Sequence, residues 1–559
     1  MILIALSWII LLLFFISSGI AVKSVLNIKS SGNYIPIFLG IFIQCILLNI
    51  CSFFFRIGLE IFIANFLISI GITYWKSEEI KESIKEIIFD IRELSTISKL
   101  SLIVLFLFSL FKCSQYPFII DNESYYLQTI KWINEYGFVK GLGNLHIYLG
   151  QTSPFHVLQA GFNFNFITER SNDLNGLILN LSSLYFITEF EKRNKINGKI
   201  HWIGFILVFN ILFFQFINAP SPDLSIVLFS QILFYHFLDK EDSFDNFKIV
   251  TLLFLLLIFV KITVAPLGLV VIYLLGFKKN RINFLLFFGS IIALVLVLKN
   301  LIITGYPFYP LSILPINKDW TIPEKLLTFF VQISENAGYF KTAVSNNQSL
   351  FDKLISWIQL DGINRIFNFG ILLLFAFGWF VKVIKTEKKY FFLYLVLALT
   401  FLILLFTSPQ YRFFLPVFVF LFVLISSTVF SYLKINQKTV QYFLLVVILV
   451  PLLFTEIITF PNLLKNQLHQ EKEINSWSQI LIPNENSKFS KIEFEKIKEG
   501  NLNYFSPKDE LFFYGTADGP LPCVNKLQLN YLKTYYHIKP QQRTHNLGDG
   551  FYSKKTKNE

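Results

Sequence analysis

The chain has 559 residues, of which 54% are hydrophobic and only 15% are charged. This balance excludes an ordinary soluble globular protein, in which about 25% of residues are charged. The net charge of +12 does not indicate a nucleic-acid partner, because the Lys and Arg residues stand in short loops between apolar runs, where they report membrane topology.

Apolar runs recur along most of the chain, at lengths suited to a hydrocarbon core roughly 30 Å thick. The runs are continuous and do not alternate with a period of two, so they predict helices and not the strands of a barrel. Candidate spans lie at residues 2–22, 34–50, 57–74, 100–116, 173–190, 201–217, 224–238, 249–261, 264–277, 283–298, 366–384, 390–406, 413–432 and 440–456. The sequence therefore predicts an all-α polytopic membrane protein with about fourteen transmembrane helices.

The basic residues fix the expected orientation of these spans. With the N-terminus outside, nearly every cluster of Lys and Arg falls on one side, as the positive-inside rule requires. The first run lacks a basic leader and is long for a signal peptide, so it is interpreted as a span.

Residues 1–99 then form a three-span N-terminal extension. It ends in "SEEIKESIKEIIFDIRELS", which is either an amphipathic helix on the inner membrane surface or a solvated connecting helix.

An acidic pair, "DNE" at 121–123, opens the first outer loop, residues 115–172. Asp121 would cap a helix that begins near Asn122, and Glu123 would favour the positive end of the helix dipole. The alternative is a reaction site, because a carboxylate at the edge of the hydrocarbon is a plausible proton acceptor. Asp223, in "APSPDLS", presents the same choice on the same face.

Three cations stand at predicted outer helix ends, against the charge bias of the topology. Lys261 interrupts a long apolar run, and it either snorkels to the interface or marks an outer turn between two short helices. Lys299 ends the tenth span, and Arg412 lies between two prolines. An anionic lipid headgroup, such as a phosphate or diphosphate, would explain these cations on the outer face.

Two further features of the outer loops are less specific. Tyr306 and Tyr309, in "GYPFYP", either shape a mobile part of the outer loop 299–365 or form a rigid interfacial turn. His146 and His156 are lone histidines without metal-ligand spacing.

The order and sidedness of these elements resemble the GT-C superfamily of membrane glycosyltransferases, which take sugars from polyprenyl-phosphate donors. The matching stretches are "DNE" at 121–123, "VKITVAP" at 260–266, "KNLIITGYPFYP" at 299–310 and "SPQYRFFLP" at 408–416. Within that superfamily the chain is most similar to uncharacterised bacterial multipass proteins that share "KWINEYGFVKGLGNLH" and a tail with "GPLPC" and "GDGF". The resemblance implies a GT-C-like core at 100–456. The polar tail at 457–559 contains strand-like pieces and is long enough for a small domain of its own, so an extracytoplasmic α+β domain is expected there. The resemblance implies that this domain helps to select the acceptor.

The resemblance also implies roles for single residues. Asp121 would be the general base, and Glu123 a second acid that orients the acceptor or, with Asp121, holds Mg²⁺ or Mn²⁺. Lys261, Lys299 and Arg412 would bind the donor phosphate. Asp223, Tyr306 and Tyr309 would contact substrate or support the site.

The expected protein is an inverting glycosyltransferase of a bacterial inner membrane, with both termini in the periplasm. Its partners would be a polyprenyl-phosphate sugar donor, a glycan, lipid or protein acceptor, and membrane lipids. Three alternatives remain open: a glycan polymerase or ligase of another fold, a transporter or flippase for lipid-linked sugar, and an inactive relative that only binds lipid-linked sugar. A polymerase would be expected to rely on arginines, and a transporter to show two related halves with polar residues near the midplane.

Overall fold

The computed structural model describes residues 1–29, 32–197, 200–339, 349–454, 477–489, 491–508 and 511–555. Within these ranges the chain forms 22 α-helices, several short 3-10 helices, one π-helical turn and four strands, and the strands all lie in the C-terminal part. A mostly helical protein with a small C-terminal strand region is therefore confirmed.

The elements follow one another in four groups. The first comprises α1 (Ile2–Val25), α2 (Ile35–Cys51), α3 (Leu59–Trp75), α4 (Ser77–Glu93) and α5 (Thr96–Cys113). The second comprises a π turn (Asn122–Tyr126), α6 (Leu127–Tyr136), α7 (Leu142–Leu145), a 3-10 helix (Ile147–Gln151) and α8 (Pro154–Gly161). The third comprises α9 (Leu174–Asn197), a 3-10 helix (Trp202–Phe209), α10 (Asn210–Phe213), α11 (Pro222–Asp239), α12 (Phe244–Val260), a 3-10 helix (Ile262–Leu267), α13 (Gly268–Leu275) and α14 (Lys279–Thr304). The fourth comprises α15 (Glu324–Tyr339), α16 (Leu350–Ile358), α17 (Ile363–Gly378), α18 (Lys382–Thr386), α19 (Lys388–Thr407), α20 (Tyr411–Tyr432) and α21 (Gln437–Phe454).

Several of these helices are long and apolar enough to span a membrane, which is consistent with a multipass membrane protein. Five described helices meet that requirement by length and composition: α1, α5, α14, α19 and α20. The number rises to seven if two bent pairs, α3 with α4 (88°) and α16 with α17 (114°), each count as one span. Every predicted span overlaps helical structure, but the number fourteen is not confirmed. The remaining segments are shorter apolar helices, such as α2, or helices with many polar side chains, such as α9 and α11.

The first two helices form a hairpin in which one backbone touches the other. A Cβ atom at Gly19 would lie 1.6 Å from the carbonyl oxygen of Pro36, and one at Gly40 would lie 1.8 Å from that of Phe15. Small residues at such crossings let membrane helices approach closely. The α1–α2 hairpin is therefore fixed in its register by two glycines.

Helix α11 lies in the centre of the molecule, and every residue from Pro222 to Leu238 is buried. Its polar side chains find partners in neighbouring helices; the Gln231 amide, for example, donates to the carbonyl oxygen of Pro416 at 3.0 Å. Because α11 is enclosed along its whole length, it forms a rigid axis whose two ends carry the charged residues described next.

One end of α11 gathers the charges that the sequence assigns to the inner face. Asp239, at the C-terminal end of α11, lies 3.1 Å from the imidazole of His201. Nearby pairs on the same side join Lys192 to Asp90 at 2.8 Å, and Arg281 to Asp242 at 2.8 Å. Asp223 stands sixteen residues before Asp239, about 24 Å away along the helix. The basic loops and the acids of the outer loops thus lie at opposite ends of the molecule.

The described residues of the C-terminal region form two small antiparallel sheets, one α-helix and two short 3-10 helices. Strands β1 (Phe494–Glu499) and β2 (Leu502–Pro507) form one hairpin, and β3 (Ile538–Gln542) and β4 (Phe551–Lys555) form the second sheet, after α22 (Lys526–Tyr536). The predicted small α+β region is present, and it docks on the first outer loop. The backbone amides of Thr516 and Ala517 both donate to the carbonyl oxygen of Glu123 at 2.9 Å. The backbone amide of Phe551 donates to the carbonyl oxygen of Lys140 at 2.9 Å.

Candidate functional site

Four residues singled out from the sequence meet in one place, although they come from four separate elements. Asp121 precedes the π turn, Asp223 lies in the first turn of α11, Lys261 follows α12, and Arg412 is the second residue of α20. The Arg412 Nη1 donates to Asp121 Oδ2, and its Nε lies 3.8 Å from Asp223 Oδ2. The Lys261 Nζ donates to Asp223 Oδ1. These residues form a continuous chain of opposite charges, named here the charged cluster.

Neither acid of the charged cluster caps a helix with its side chain. Asp121 occupies the position before the π turn, but its carboxylate makes no capping hydrogen bond. At α11 the cap is Ser221, whose hydroxyl accepts from the backbone amide of Asp223 at 3.3 Å. Both carboxylates are therefore available for the two cations.

The π turn shapes the acidic end of the cluster. Such turns are rare and occur often at functional sites, because the extra residue changes the direction of the following side chains. Here the turn brings the Tyr126 hydroxyl to 3.4 Å from Asp121 Oδ2, to which it donates. Tyr126 is buried, so Asp121 has a hydroxyl on one side and the Arg412 guanidinium on another.

The cluster is buried on the side of Asp223 and partly exposed on the side of the other three residues. The Asp223 side chain is only 3% exposed, whereas Asp121, Lys261 and Arg412 are 18%, 19% and 24% exposed. The ring of Phe413 supports both cations, with Lys261 Nζ 3.6 Å and the Arg412 guanidinium carbon 5.3 Å from its centroid. Two carboxylates balance two cations, so an entering anion would have to replace a carboxylate as the partner of a cation.

Arg412 retains capacity for such an anion. Its Nε donates to Gln410 Oε1 at 3.0 Å and its Nη1 donates to Asp121. The second terminal nitrogen, Nη2, makes no hydrogen bond to the described residues. A guanidinium with a free edge is suited to a phosphate oxygen.

Lys299 lies outside the charged cluster. It is 5% exposed, its Nζ donates to the carbonyl oxygen of Thr152 at 2.6 Å, and it forms no ion pair with the described acids. It stands five residues before the end of α14 and interacts electrostatically with His156. The structure thus brings Lys261 and Arg412 together but leaves the third predicted cation apart.

Glu123 is also separate from the cluster, because its side chain turns into the C-terminal region. Its Oε2 accepts from the Ser487 hydroxyl at 2.5 Å, and its Oε1 accepts from the Lys488 backbone amide at 3.3 Å and from Asn122 Nδ2 at 3.1 Å. Complete burial raises the pKa of the Glu123 carboxyl from 4.5 to about 7, and the hydrogen bonds from Ser487 and Asn122 limit this rise. Glu123 therefore fastens residues 487–488 to the first outer loop.

Tyr306 and Tyr309 hold the second outer loop in a packed turn. The Tyr306 hydroxyl donates to the Ile322 carbonyl oxygen at 3.0 Å, and the Tyr309 hydroxyl donates to that of Ile147 at 3.0 Å. Both rings are buried in an apolar cluster with Phe330. Their hydroxyls are occupied by the backbone, so they support the loop.

Sequence reasoning missed several neighbours of the charged cluster. Phe413 and Gln410 adjoin Arg412 in sequence, and that adjacency could have indicated them. Tyr126 carried no local signal, and His156 was noted only as a lone histidine without metal-ligand spacing. His156 is buried, its ring lies 4.8 Å from that of Tyr126, and neither ring nitrogen makes a well-formed hydrogen bond to the described residues. Burial lowers the pKa of His156 to about 3, so the ring is neutral.

Nowhere in the described ranges do three or more His, Cys, Asp or Glu side chains come together closely enough to hold a metal ion. Asp121 and Glu123, where the resemblance places Mg²⁺ or Mn²⁺, engage Arg412 and Ser487 instead.

A family defined as a domain of unknown function, DUF8201, matches residues 1–419. The chain belongs to this family. The match includes all four residues of the charged cluster and ends inside α20, before the C-terminal region. No curated protein and no solved structure matches the chain. The family description states no function.

Proposed function

We propose that the protein is a membrane glycosyltransferase of the GT-C kind. It transfers a sugar, with inversion, from a polyprenyl-phosphate-linked donor to a hydroxyl acceptor at the periplasmic face of a bacterial inner membrane. One observation carries the proposal: the charged cluster places a partly exposed carboxylate beside two cations at the ends of three helices. Sugar transfer from a lipid phosphate requires this combination of groups at a membrane surface.

The residues of the cluster divide the reaction between them. The Asp121 carboxylate accepts the proton of the acceptor hydroxyl while the acceptor oxygen forms a bond to the anomeric carbon of the sugar. The bond from that carbon to the phosphate oxygen breaks, and the phosphate leaves with the electron pair. Arg412 and Lys261 stabilise the negative charge on the leaving phosphate.

The resting ion pairs have a role in this scheme. In the absence of donor, Arg412 binds Asp121 and neutralises it. A donor phosphate that binds the free edge of Arg412 competes for the guanidinium and weakens the ion pair between Arg412 and Asp121. The Asp121 carboxylate then accepts the proton of the acceptor hydroxyl. Asp223, buried beneath, keeps Lys261 and Arg412 in place. Lys299 and Glu123 support the surrounding loops and do not contact the donor.

The topology forms part of the same proposal. The fourteen predicted segments are taken as spans, and both termini lie in the periplasm. The supporting observation is that basic loop residues such as Lys192 and Arg281 gather at the end of the molecule opposite the charged cluster. Labelling of single cysteines at positions 192 and 518 with an impermeant reagent, in intact cells, should modify only the second.

The decisive test is Asp121→Asn in protein reconstituted in lipid nanodiscs. Wild-type protein should release polyprenyl phosphate from a synthetic polyprenyl-phosphate hexose in the presence of a glycan acceptor, and the variant should be slower by a factor of about 10² to 10⁴. The matched control is Asp352→Asn, at an exposed acid of the second outer loop. A fully active Asp121→Asn variant would overturn the base assignment. A wild-type protein that turns over no such donor would overturn the proposed activity.

A further inference from the structure

An open cavity of about 410 Å³ lies on the predicted outer face, and no residue of the charged cluster lines it. Three distant parts of the chain form it: the first outer loop, the second outer loop and the turn between β3 and β4. Its lining includes Lys140, Asp319, Arg543, Thr544, Asp549 and Tyr552. Its volume is at the small end of the usual range for ligand sites, about 300 to 1,000 Å³.

Two glycines allow the first outer loop and the β3–β4 turn to approach each other closely beside this cavity. Gly141 has φ +63°, and a Cβ there would lie 2.2 Å from the carbonyl oxygen of Phe551. Gly550 has φ +95°, and a Cβ there would lie 2.0 Å from the carbonyl oxygen of Lys140. The close approach permits the hydrogen bond from the Phe551 amide to that same oxygen. The cavity is thus where "KGLGNLH" and "GDGF" meet, two stretches to which the charged cluster assigns no role.

An ion pair completes the third wall. Arg543 Nε lies 2.9 Å from Asp319 Oδ2, which ties the β3–β4 turn to the second outer loop. The indole ring of Trp320 lies beside both cations, with Lys140 Nζ 5.8 Å and the Arg543 guanidinium carbon 5.4 Å from its centroid. Lys140 and Asp549 remain exposed at the rim.

The lining favours a neutral ligand with many hydroxyl groups. Two cations and two carboxylates cancel in charge, so the cavity offers a polyanion no net attraction. Asp549 Oδ2 accepts from the Thr544 hydroxyl at 2.6 Å, which orients the carboxylate and leaves Oδ1 as an acceptor. The Lys140 ammonium and the Tyr552 hydroxyl are potential donors to a ligand, and the aromatic ring of Tyr552 is suited to the C–H face of a sugar.

We propose that this cavity binds a neutral carbohydrate segment of one or two sugar residues. Carbohydrate binding here does not require that the protein be a transferase. If the proposed function holds, this cavity is the acceptor subsite, and it selects a glycan from the acceptor classes of glycan, lipid and protein.

Calorimetric titration of the full-length protein in nanodiscs tests the inference. The probes are neutral disaccharides of glucose, galactose, mannose and N-acetylglucosamine, with digalacturonic acid and inorganic phosphate as anionic comparisons. At least one neutral disaccharide should bind saturably. Asp549→Asn and Lys140→Met should each weaken its binding by about tenfold through the loss of one hydrogen bond, while the midpoint of thermal unfolding stays unchanged.

Two controls separate this inference from the proposed activity. Asp352→Asn and Asp121→Asn should both bind the disaccharide as the wild type does, the second while losing transfer. The inference fails if no neutral disaccharide binds, if an anionic probe binds more tightly, or if neither cavity variant weakens binding. If the wild type binds a disaccharide but transfers no sugar, the result supports the carbohydrate site and refutes its role as an acceptor subsite.

Discussion

The substitution Glu123→Gln should remove a specific pH dependence from the stability of the protein. The carboxyl of Glu123 is fully buried between the first outer loop and residues 487–488, and burial raises its pKa from 4.5 to about 7. Between these two values the folded protein binds more protons than the unfolded chain. The stability contributed by this group is therefore complete below pH 4.5 and is lost as the pH rises to about 7.

The magnitude follows from the size of the pKa shift. A rise of about 2.5 units at 1.36 kcal/mol per unit corresponds to about 3 kcal/mol of folding free energy. Gln has nearly the same shape and does not ionise. The difference in free energy of unfolding, Glu123→Gln minus wild type, should therefore grow by about 3 kcal/mol between pH 4.5 and pH 7, and change little above it.

Chemical denaturation of the purified protein in detergent, at several pH values from 4 to 8, measures this difference. The matched control is Glu493→Gln, which removes a carboxylate of the same region whose side chain is 74% exposed. That variant should follow the wild-type pH profile. Parallel profiles for the wild type and Glu123→Gln would show that the Glu123 carboxyl ionises as easily in the folded protein as in the unfolded chain, and would refute the reasoning.

Three further substitutions test other parts of the structure. Arg412→Lys should weaken binding of a polyprenyl-phosphate donor by about tenfold or more and leave acceptor binding unchanged, measured by separate titrations; equal losses would argue against a phosphate role. Lys261→Met should lower the free energy of unfolding by about 3 to 5 kcal/mol, because it leaves the 3% exposed Asp223 with less compensation, and adding Asp223→Asn should restore part of this loss. Gly19→Ala should prevent stable assembly, whereas Gly71→Ala, with no atom within 4 Å of the new Cβ, should be tolerated, as the yield of monodisperse protein would show.

Much of the charged cluster was accessible from the sequence because membrane topology restricts where charges can go. Asp121, Asp223, Lys261 and Arg412 all stood at the predicted outer ends of apolar runs, and sidedness alone placed them in one layer. Which of them touch is decided by helix packing, which hydropathy does not describe. The enclosed position of α11 brings Asp223 between the two cations.

The different directions of Asp121 and Glu123 follow from helical geometry. Residues two positions apart in a helix do not share a face, so a helix that begins at Asn122 separates the two carboxylates. The sequence contained this constraint, but it did not show that residues 487–488 would receive Glu123. That partner is more than 360 residues away along the chain.

The position of Lys299 and the number of spans depended on helix ends. The predicted tenth span stopped at residue 298, which would have put Lys299 at an outer end, but α14 continues to Thr304. The extra helical residues carry the lysine into the protein. Hydropathy windows fix the ends of helices poorly, and the same uncertainty affects the short helices that were counted as full spans.

The two crossing glycines of the α1–α2 hairpin restrict how the gene can change. A single change at the second base converts any glycine codon into an alanine codon. The resulting substitution of alanine for glycine is one that most helices accept. At Gly19 and Gly40 even this added methyl group meets a carbonyl oxygen. Variants of the gene should therefore tolerate substitutions along the exposed sides of these helices long before they tolerate alanine at either crossing point.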